Sequence, residues 1–409
     1  MMQFNPVIDL HIFNELLKKR PEITANSLKS DLKNFLIPYI QKLLDLKQSF
    51  DPDKGLVVGV SAIQGAGKTT QGEILEILLA HYNKSSVSLS IDDHYITHRQ
   101  LTELRQKDPR FIRRGVTHDI NLAIKNLTDL INFKSPVLVS GYDKGAHKGD
   151  GDRFAFVNLV ENMELKAKVI EQELVINQVS QYNKALQLIS ITFAGSPIQV
   201  PENMGANIPI TADFLPEELC TFLNQVENQV VKITRTGDKA YFIGGQTLEI
   251  EVKSLPKGWR LVAQKPDFIF YDGWMVGARN VRDESVFTSG LPALENTNDQ
   301  EFAIFINRKL NEYIPLWNLI NFTNVLYVPD YQISLKWRDQ AEEALRAKGK
   351  GMTVDQIREF VYYFWRSVHP AIQIKNLAQD PNTNQVVIIN DDHTIKEVLK
   401  PEEVKDEYP

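Results

Sequence analysis

The sequence has 409 residues, 43% of them hydrophobic and 24% charged, with a net charge of −6. That length and balance suit a globular chain of more than one domain, and the negative charge speaks against a binder of nucleic-acid backbones. A single cysteine, Cys220, excludes an intrachain disulfide framework and speaks against a cysteine-based metal site, and no apolar run approaches the roughly 18 residues that a membrane span needs.

The opening MMQFNPVIDLHIF has no basic region followed by an apolar stretch, so a cytoplasmic location is expected. Residues 1–50 read as two or three helices. Leu10, Phe13, Leu16 and Leu17 share one face, and Leu32, Phe35, Leu36, Tyr39, Ile40, Leu43 and Leu44 form a second stripe. After a polar joint at 51–54, the run Leu56–Ser61 predicts a buried strand. A small-residue loop and a helix reaching about Tyr82 follow it. Val87–Ile91 predicts a second strand, with Asp92 and Asp93 at its carboxyl end. Residues 98–134 read as helical, broken at Pro109. Val137–Ser140 reads as a third strand of the same sheet, running into the polar loop Gly141–Arg153.

Residues 156–263 read as an insertion. Leu159–Leu188 is expected to be a long helix, and a second helix is expected near Glu217–Asn228. Val230–Thr236, Ala240–Ile243 and Thr247–Val252 predict an antiparallel meander. Phe268–Tyr271 resumes the strand pattern and ends at Asp272. Asn324–Val328 is a fifth strand, with helices at Glu301–Leu319, Lys336–Lys348 and Val354–Val368. The expectation is an α/β P-loop fold: a mostly parallel five-stranded sheet, a helical prefix (1–50), a core (51–155 and 264–409) and an inserted α+β subdomain.

The chemistry centres on Gly55–Thr70, GLVVGVSAIQGAGKTT. A strand, a glycine turn and a helix N-terminus aim backbone N–H groups and the positive helix end at one point, which is how a phosphate is cradled. The pattern G-x-x-x-x-G-K-[ST] is met except that Ala62 stands at its first glycine. Gly65, Ala66, Gly67 and Thr70 would form the cradle, Lys68 would reach the β- and γ-phosphates, and Thr69 would ligate Mg²⁺. Asp272 is either a carboxylate that orients the metal or a turn residue before Gly273. Asp92 is either a base for an acceptor hydroxyl or part of a solvated turn with Asp93. The loop holding Tyr142, Lys144 and Arg153 is either an acceptor pocket or an ordinary surface loop. His118 is either an oriented imidazole or a surface histidine beside the capping Asp119. Arg338 belongs to a lid or to a solvated helix face.

Several segments together resemble the plant and cyanobacterial type of D-glycerate 3-kinase, within the P-loop kinases that also include uridine kinase, phosphoribulokinase and pantothenate kinase. They are VSAIQGAGKTT (Val60–Thr70), SIDDHY (Ser90–Tyr95), GVTHD (Gly115–Asp119), YDKGA (Tyr142–Ala146), GDGDR (Gly149–Arg153), DGWMVG (Asp272–Gly277) and KWRDQAEEALR (Lys336–Arg346). Ala62 is usual in that family, whereas His94 replaces a usual Phe and Asp272 a usual Glu. The resemblance implies ATP and Mg²⁺ as cofactors and a small hydroxy acid, D-glycerate, as acceptor. It implies Asp92 and Lys68 as catalytic groups, with Asp92 also near the metal. Lys68, Thr69 and Arg338 would serve the nucleotide, Asp272 the metal, and Asp93, Tyr95, His118, Tyr142, Lys144 and Arg153 the acceptor. A sister kinase for pantothenate or a nucleoside, and a non-catalytic ATP-binding switch, are the alternatives.

Overall fold

The computed structural model describes residues 6–19, 24–134, 137–139, 141–153, 264–346 and 351–405, together with short strands between 166 and 262. It divides into two compact units. The first is Met1–Ile91, Glu103–Ile124 and Pro266–Pro409, and the second is Asp92–Thr102 and Lys125–Lys265.

The first unit is built on a six-stranded sheet of β1 (Leu56–Ala62), β2 (Ser86–Ser90), β3 (Phe268–Gly273), β4 (Phe322–Tyr327), β5 (Gln385–Ile389) and β6 (Ile395–Leu399). Their spatial order is β2-β3-β1-β4-β5-β6. The first five run parallel, and β6 returns antiparallel along β5. All seven residues of β1 are buried, as are four of the first four in β3, which is what continuous apolar runs give when both sheet faces are covered. From β1 the chain crosses to the edge at β2, returns to β3, and reappears on the other side at β4. The strand order therefore reverses at β1, and in such sheets ligands bind outside the carboxyl ends of the strands at that point.

One face is covered by helix Lys68–His81, through Ile74, Leu75, Leu78 and Leu79, and by the N-terminal helices, through Leu28, Phe35, Tyr39, Ile40 and Leu43. The i, i+4 pair Phe35 and Tyr39 stacks with ring centroids 5.3 Å apart. The helical prefix thus shares one apolar cluster with Val58 and Val60 of β1. The side chain of Leu10 lies outside the described residues.

The α/β fold with a mostly parallel sheet is as the sequence implied, but the strand inventory differs. The sheet has six strands rather than five, because Gln385–Ile389 and Ile395–Leu399 add a C-terminal hairpin. Val137–Val139 is not in it. That strand pairs antiparallel with Arg260–Val262 in the second unit. An apolar run of three residues fixes neither the partner nor the direction of pairing.

The second unit also contains an antiparallel sheet in the order Lys232–Thr236, Lys239–Ile243, Thr247–Glu251, Lys166–Val169, Gln172–Val175. The expected meander is present. The long helix expected over Leu159–Leu188 is not, since Lys166–Val169 and Gln172–Val175 form a hairpin in register Lys166↔Val175. Charge and apolar residues alternate there with a period near two, and the β-branched content favours strands. The helix expected at Glu217–Asn228 lies outside the described residues. Among the described residues no helix is long and apolar enough to cross a membrane.

Candidate active site

In the first unit the loop between β1 and helix Lys68–His81 holds two left-handed glycines, Gly65 at φ +89° and Gly67 at φ +84°. Gly67 is the N-cap of the helix, and only glycine takes such backbone at little cost. A β-carbon on Gly65 would lie 2.8 Å from Cβ of Trp337, whereas one on Gly67 would meet nothing within 4 Å. The open side of the loop is therefore at Gly67, where the first helical N–H groups have no intrahelical acceptor. Lys68 folds across the loop and donates to the carbonyls of Ala62 at 2.9 Å and Ile63 at 3.0 Å. Ala66 is buried and Thr70 half-buried. The Thr69 side chain lies outside the described residues.

Asp272 lies within β3, in register between Val60 of β1 and Ser90 of β2. It is not a turn residue. The following Gly273 still belongs to the strand, and a β-carbon there would sit 2.3 Å from Cγ2 of Ile91. Glycine permits that approach of backbone to side chain, and the half-buried Asp272 carboxylate stands at the carboxyl end of the sheet. Among the described residues no group of three His, Cys, Asp or Glu side chains could hold a metal. A carboxylate oxygen such as that of Asp272 is the donor type that Mg²⁺ takes.

Arg338, on helix Ile333–Arg346, bonds Glu342 at 2.6 Å and lies 4.8 Å over the ring of Phe360. Glu342 is 4% exposed and also accepts from the Met352 N–H. His118 is no surface group. It is 7% exposed and its Nδ1 lies 2.8 Å from Oη of Tyr313. Burial drives the Tyr313 hydroxyl far above its ordinary pKa, so it stays protonated beside the imidazole.

The second unit gathers another polar group. Asp92 follows Ser90-Ile91 directly in the chain and sits in the short turn Ile91–His94 beside Asp93. Its carboxylate bonds Nζ of Lys144 at 3.0 Å, with Asp92 22% and Lys144 76% exposed. Tyr95 is buried and packs on Tyr142 with centroids 5.3 Å apart. Tyr142 faces Arg153 in a two-stranded ladder and donates from Oη to the carbonyl of Asp150 at 2.9 Å. A β-carbon at Gly151 would fall 2.0 Å from that Oη, so the glycine of this GDGDR segment makes room for the tyrosine. His94 is fully buried, and its Nε2 lies 2.9 Å from Nδ2 of Asn126, which is how a polar ring is accommodated at an apolar position.

Asp92, Tyr95, Tyr142, Lys144 and Arg153 thus fall in one unit, and the cradle, Asp272, His118 and Arg338 in the other. The sequence reading did not bring His98 to this loop. His98 and His147 stack at 3.7 Å, His98 reaches Asp150 at 3.5 Å, and His147 reaches Asp152 at 3.1 Å. His98 stands far from this loop in sequence and carries no motif. Trp337 was also missed as the wall of the glycine loop, although it sits inside the KWRDQ segment.

No family model matches the chain. The uncharacterized kinase mug58 of Schizosaccharomyces pombe is 22% identical over 336 residues, 80% of this chain and 85% of that protein. The chloroplastic D-glycerate 3-kinase of Arabidopsis thaliana is 37% identical over 106 residues, 24% of this chain and 23% of that protein. Among solved structures, a D-glycerate 3-kinase from Cryptococcus neoformans superposes with a TM-score of 0.55 at 18% identity, covering 88% of this chain and 95% of that one. The chain is thus similar to a D-glycerate 3-kinase over part of its sequence, and to another over most of its fold. The structural likeness establishes the shared fold. The match to the plant D-glycerate 3-kinase is tighter but spans about a quarter of that protein's length.

Proposed function

We propose that the protein transfers the γ-phosphoryl group of ATP to a hydroxyl of D-glycerate. The observation that carries this reading is the pair of left-handed glycines at the carboxyl end of β1, at the strand-order reversal and at the start of a helix. That arrangement, together with the likeness to D-glycerate 3-kinases, supports reading the loop as a cradle for a nucleoside triphosphate.

In this reading Gly65, Ala66, Gly67 and Thr70 hold the phosphates. Lys68 leaves the Ala62 and Ile63 carbonyls for the β- and γ-phosphoryl oxygens, and Arg338 serves the nucleotide from its helix. Thr69, Asp272 and Asp92 would be the residues that hold Mg²⁺, which would spread the charge of the transferring group. Asp92 takes the proton of the acceptor hydroxyl as its oxygen bonds to the γ-phosphorus. The bond from that phosphorus to the β–γ bridging oxygen breaks, and ADP departs with the electron pair.

Lys144 has a part in this step. It pairs with Asp92 at 3.0 Å, and as a highly exposed cation it would turn onto the glycerate carboxylate when the acceptor binds. Arg153 and Tyr142 stand on the same hairpin, and with Tyr95, Asp93 and His118 they complete the proposed acceptor set.

ADP release with glycerate, pantothenate and uridine tests the assignment. Release with glycerate alone supports it. Release with uridine or pantothenate and none with glycerate sinks it.

A further inference from the structure

Connectivity puts the backbone of Arg338 beside the glycine loop. The residue before it, Trp337, is the wall against Gly65, and adjacent Cα atoms are about 3.8 Å apart. The Arg338 side chain is 33% exposed, and one edge of its guanidinium is taken by Glu342 at 2.6 Å, which offsets its charge. Its face is taken by Phe360, whose ring centre lies 4.8 Å from the guanidinium carbon. A bond to one carboxylate oxygen leaves the guanidinium plane free to swing about that contact. An aromatic face against the plane removes that freedom, because the ring attracts the cation and the two flat groups stack.

The second observation is Arg113, whose guanidinium carbon lies 5.0 Å from the centre of the same ring. Arg113 comes from the segment just before Gly115–Asp119, far from Arg338 in the chain. Two cations gathered at one side chain repel each other, and the attraction of the aromatic face offsets that repulsion where an aliphatic side chain would not. Phe360 is itself half-buried and braced from behind. Phe364, one helical turn on, packs against it at 5.0 Å, and Phe364 meets Trp274 edge-on at 4.9 Å, two residues past Asp272. One ring therefore carries guanidiniums from two distant segments and is held against the stretch that follows the acid of β3.

We propose that Phe360 is a positioning residue of the nucleotide site: its aromatic face, together with Glu342, sets the plane of the Arg338 guanidinium beside the glycine loop and brings that of Arg113 to the same rim. The inference rests on the reading of that loop as a nucleotide cradle. What Phe360 supplies is its π face more than its bulk. Leucine keeps an apolar side chain there and lacks the face, whereas tyrosine keeps both.

Calorimetric titration of the full chain with ATP tests it, with melting curves to check that each variant is folded. Phe360→Leu is expected to weaken ATP about three- to tenfold, the worth of one or two contacts between a cation and a ring. Phe360→Tyr is expected to bind ATP as wild type does, a rescue that a role in packing alone does not predict for one variant and deny to the other. Arg113→Gln is expected to weaken ATP as well, and Phe360→Leu to add less in that background than in wild type. The proposal is overturned if Phe360→Leu binds ATP as tightly as wild type, if Phe360→Tyr is as weak as Phe360→Leu, or if the effects of Arg113→Gln and Phe360→Leu are fully additive. In each of those cases wild type still binds ATP and the cradle reading stands. A wild type that binds no ATP strikes the cradle reading itself, and the proposal with it.

Discussion

Trp337 presses on Gly65 so closely that a β-carbon on the glycine would stand 2.8 Å from Cβ of the tryptophan. Gly67, two residues on, has a similar left-handed backbone with nothing within 4 Å of the same position. The two glycines are therefore required for different reasons, and alanine separates them. Gly67→Ala carries only the left-handed penalty, about 1–2 kcal/mol. Gly65→Ala adds an overpacking cost of about 1–3 kcal/mol against a ring that cannot withdraw, because Trp337 is 3% exposed. Urea denaturation should rank Gly65→Ala as the less stable. Equal midpoints would show that the loop yields at Trp337.

Asp92→Asn keeps the shape of the turn and removes the proton acceptor. Turnover is expected to fall about 10²- to 10⁴-fold while ATP binding, measured by titration, is retained. Lys144→Ala should behave differently. The exposed pair contributes about 0–1 kcal/mol to folding, so the melting temperature barely moves while KM for glycerate rises. A Lys144→Ala enzyme with unchanged KM would remove the lysine from the acceptor side.

Arg338 has a structural duty that complicates any test of its part in nucleotide binding. Truncating it leaves the Glu342 carboxylate, 4% exposed, with only the Met352 N–H among the described residues. Arg338→Ala is expected to cost about 3 kcal/mol, the lower end for breaking a buried pair. Glu342→Gln in the same chain removes the stranded charge and should recover part of that loss. A double variant as unstable as the sum of the single ones would show that the two side chains are not coupled.

His369 makes stability depend on pH. Its Nδ1 accepts from the Ala371 N–H at 3.2 Å and its Nε2 lies 3.1 Å from the Pro292 carbonyl, an arrangement for the neutral ring. Burial holds its pKa down to about 4 from 6.5. Above pH 6.5 neither folded nor unfolded chain protonates this ring, and its contribution is fully present. As the pH falls toward 4 the unfolded chain takes up the proton and the folded chain does not, so stability declines by up to about 3 kcal/mol. His369→Gln should flatten that limb of a stability profile. A wild-type profile with no difference from the variant between pH 6.5 and 4 would contradict the assignment.

The strand, glycine loop and helix over Gly55–Thr70 and the buried strand β3 were legible because long apolar β-branched runs ending in glycine or acid have few other structural outcomes. Val137–Val139 was misplaced because pairing partner and direction are properties of tertiary packing, and three residues carry no trace of either. The C-terminal hairpin escaped notice because Ile395–Leu399 alternates weakly and its turn, with His393 at φ +66°, lacks a glycine. On the acceptor side, Asp92 and Lys144 were each named from the sequence, but their ion pair belongs to the fold of a loop. Trp337 reads in sequence as one more residue on a charged helix, and only its contact with Gly65 shows what it does.

The far side of Trp337 carries a consequence for how the protein is made. Its indole N–H donates to the Asp391 carbonyl at 2.9 Å and its ring stacks on His393 at 4.4 Å, both on the turn between β5 and β6. The glycine loop is translated early, but the wall it rests against is clamped by a hairpin that leaves the ribosome hundreds of residues later. A nascent chain therefore carries an unbraced phosphate loop for most of its synthesis. Nucleotide competence should then arrive late and abruptly, as the hairpin docks, rather than accumulate as the chain emerges.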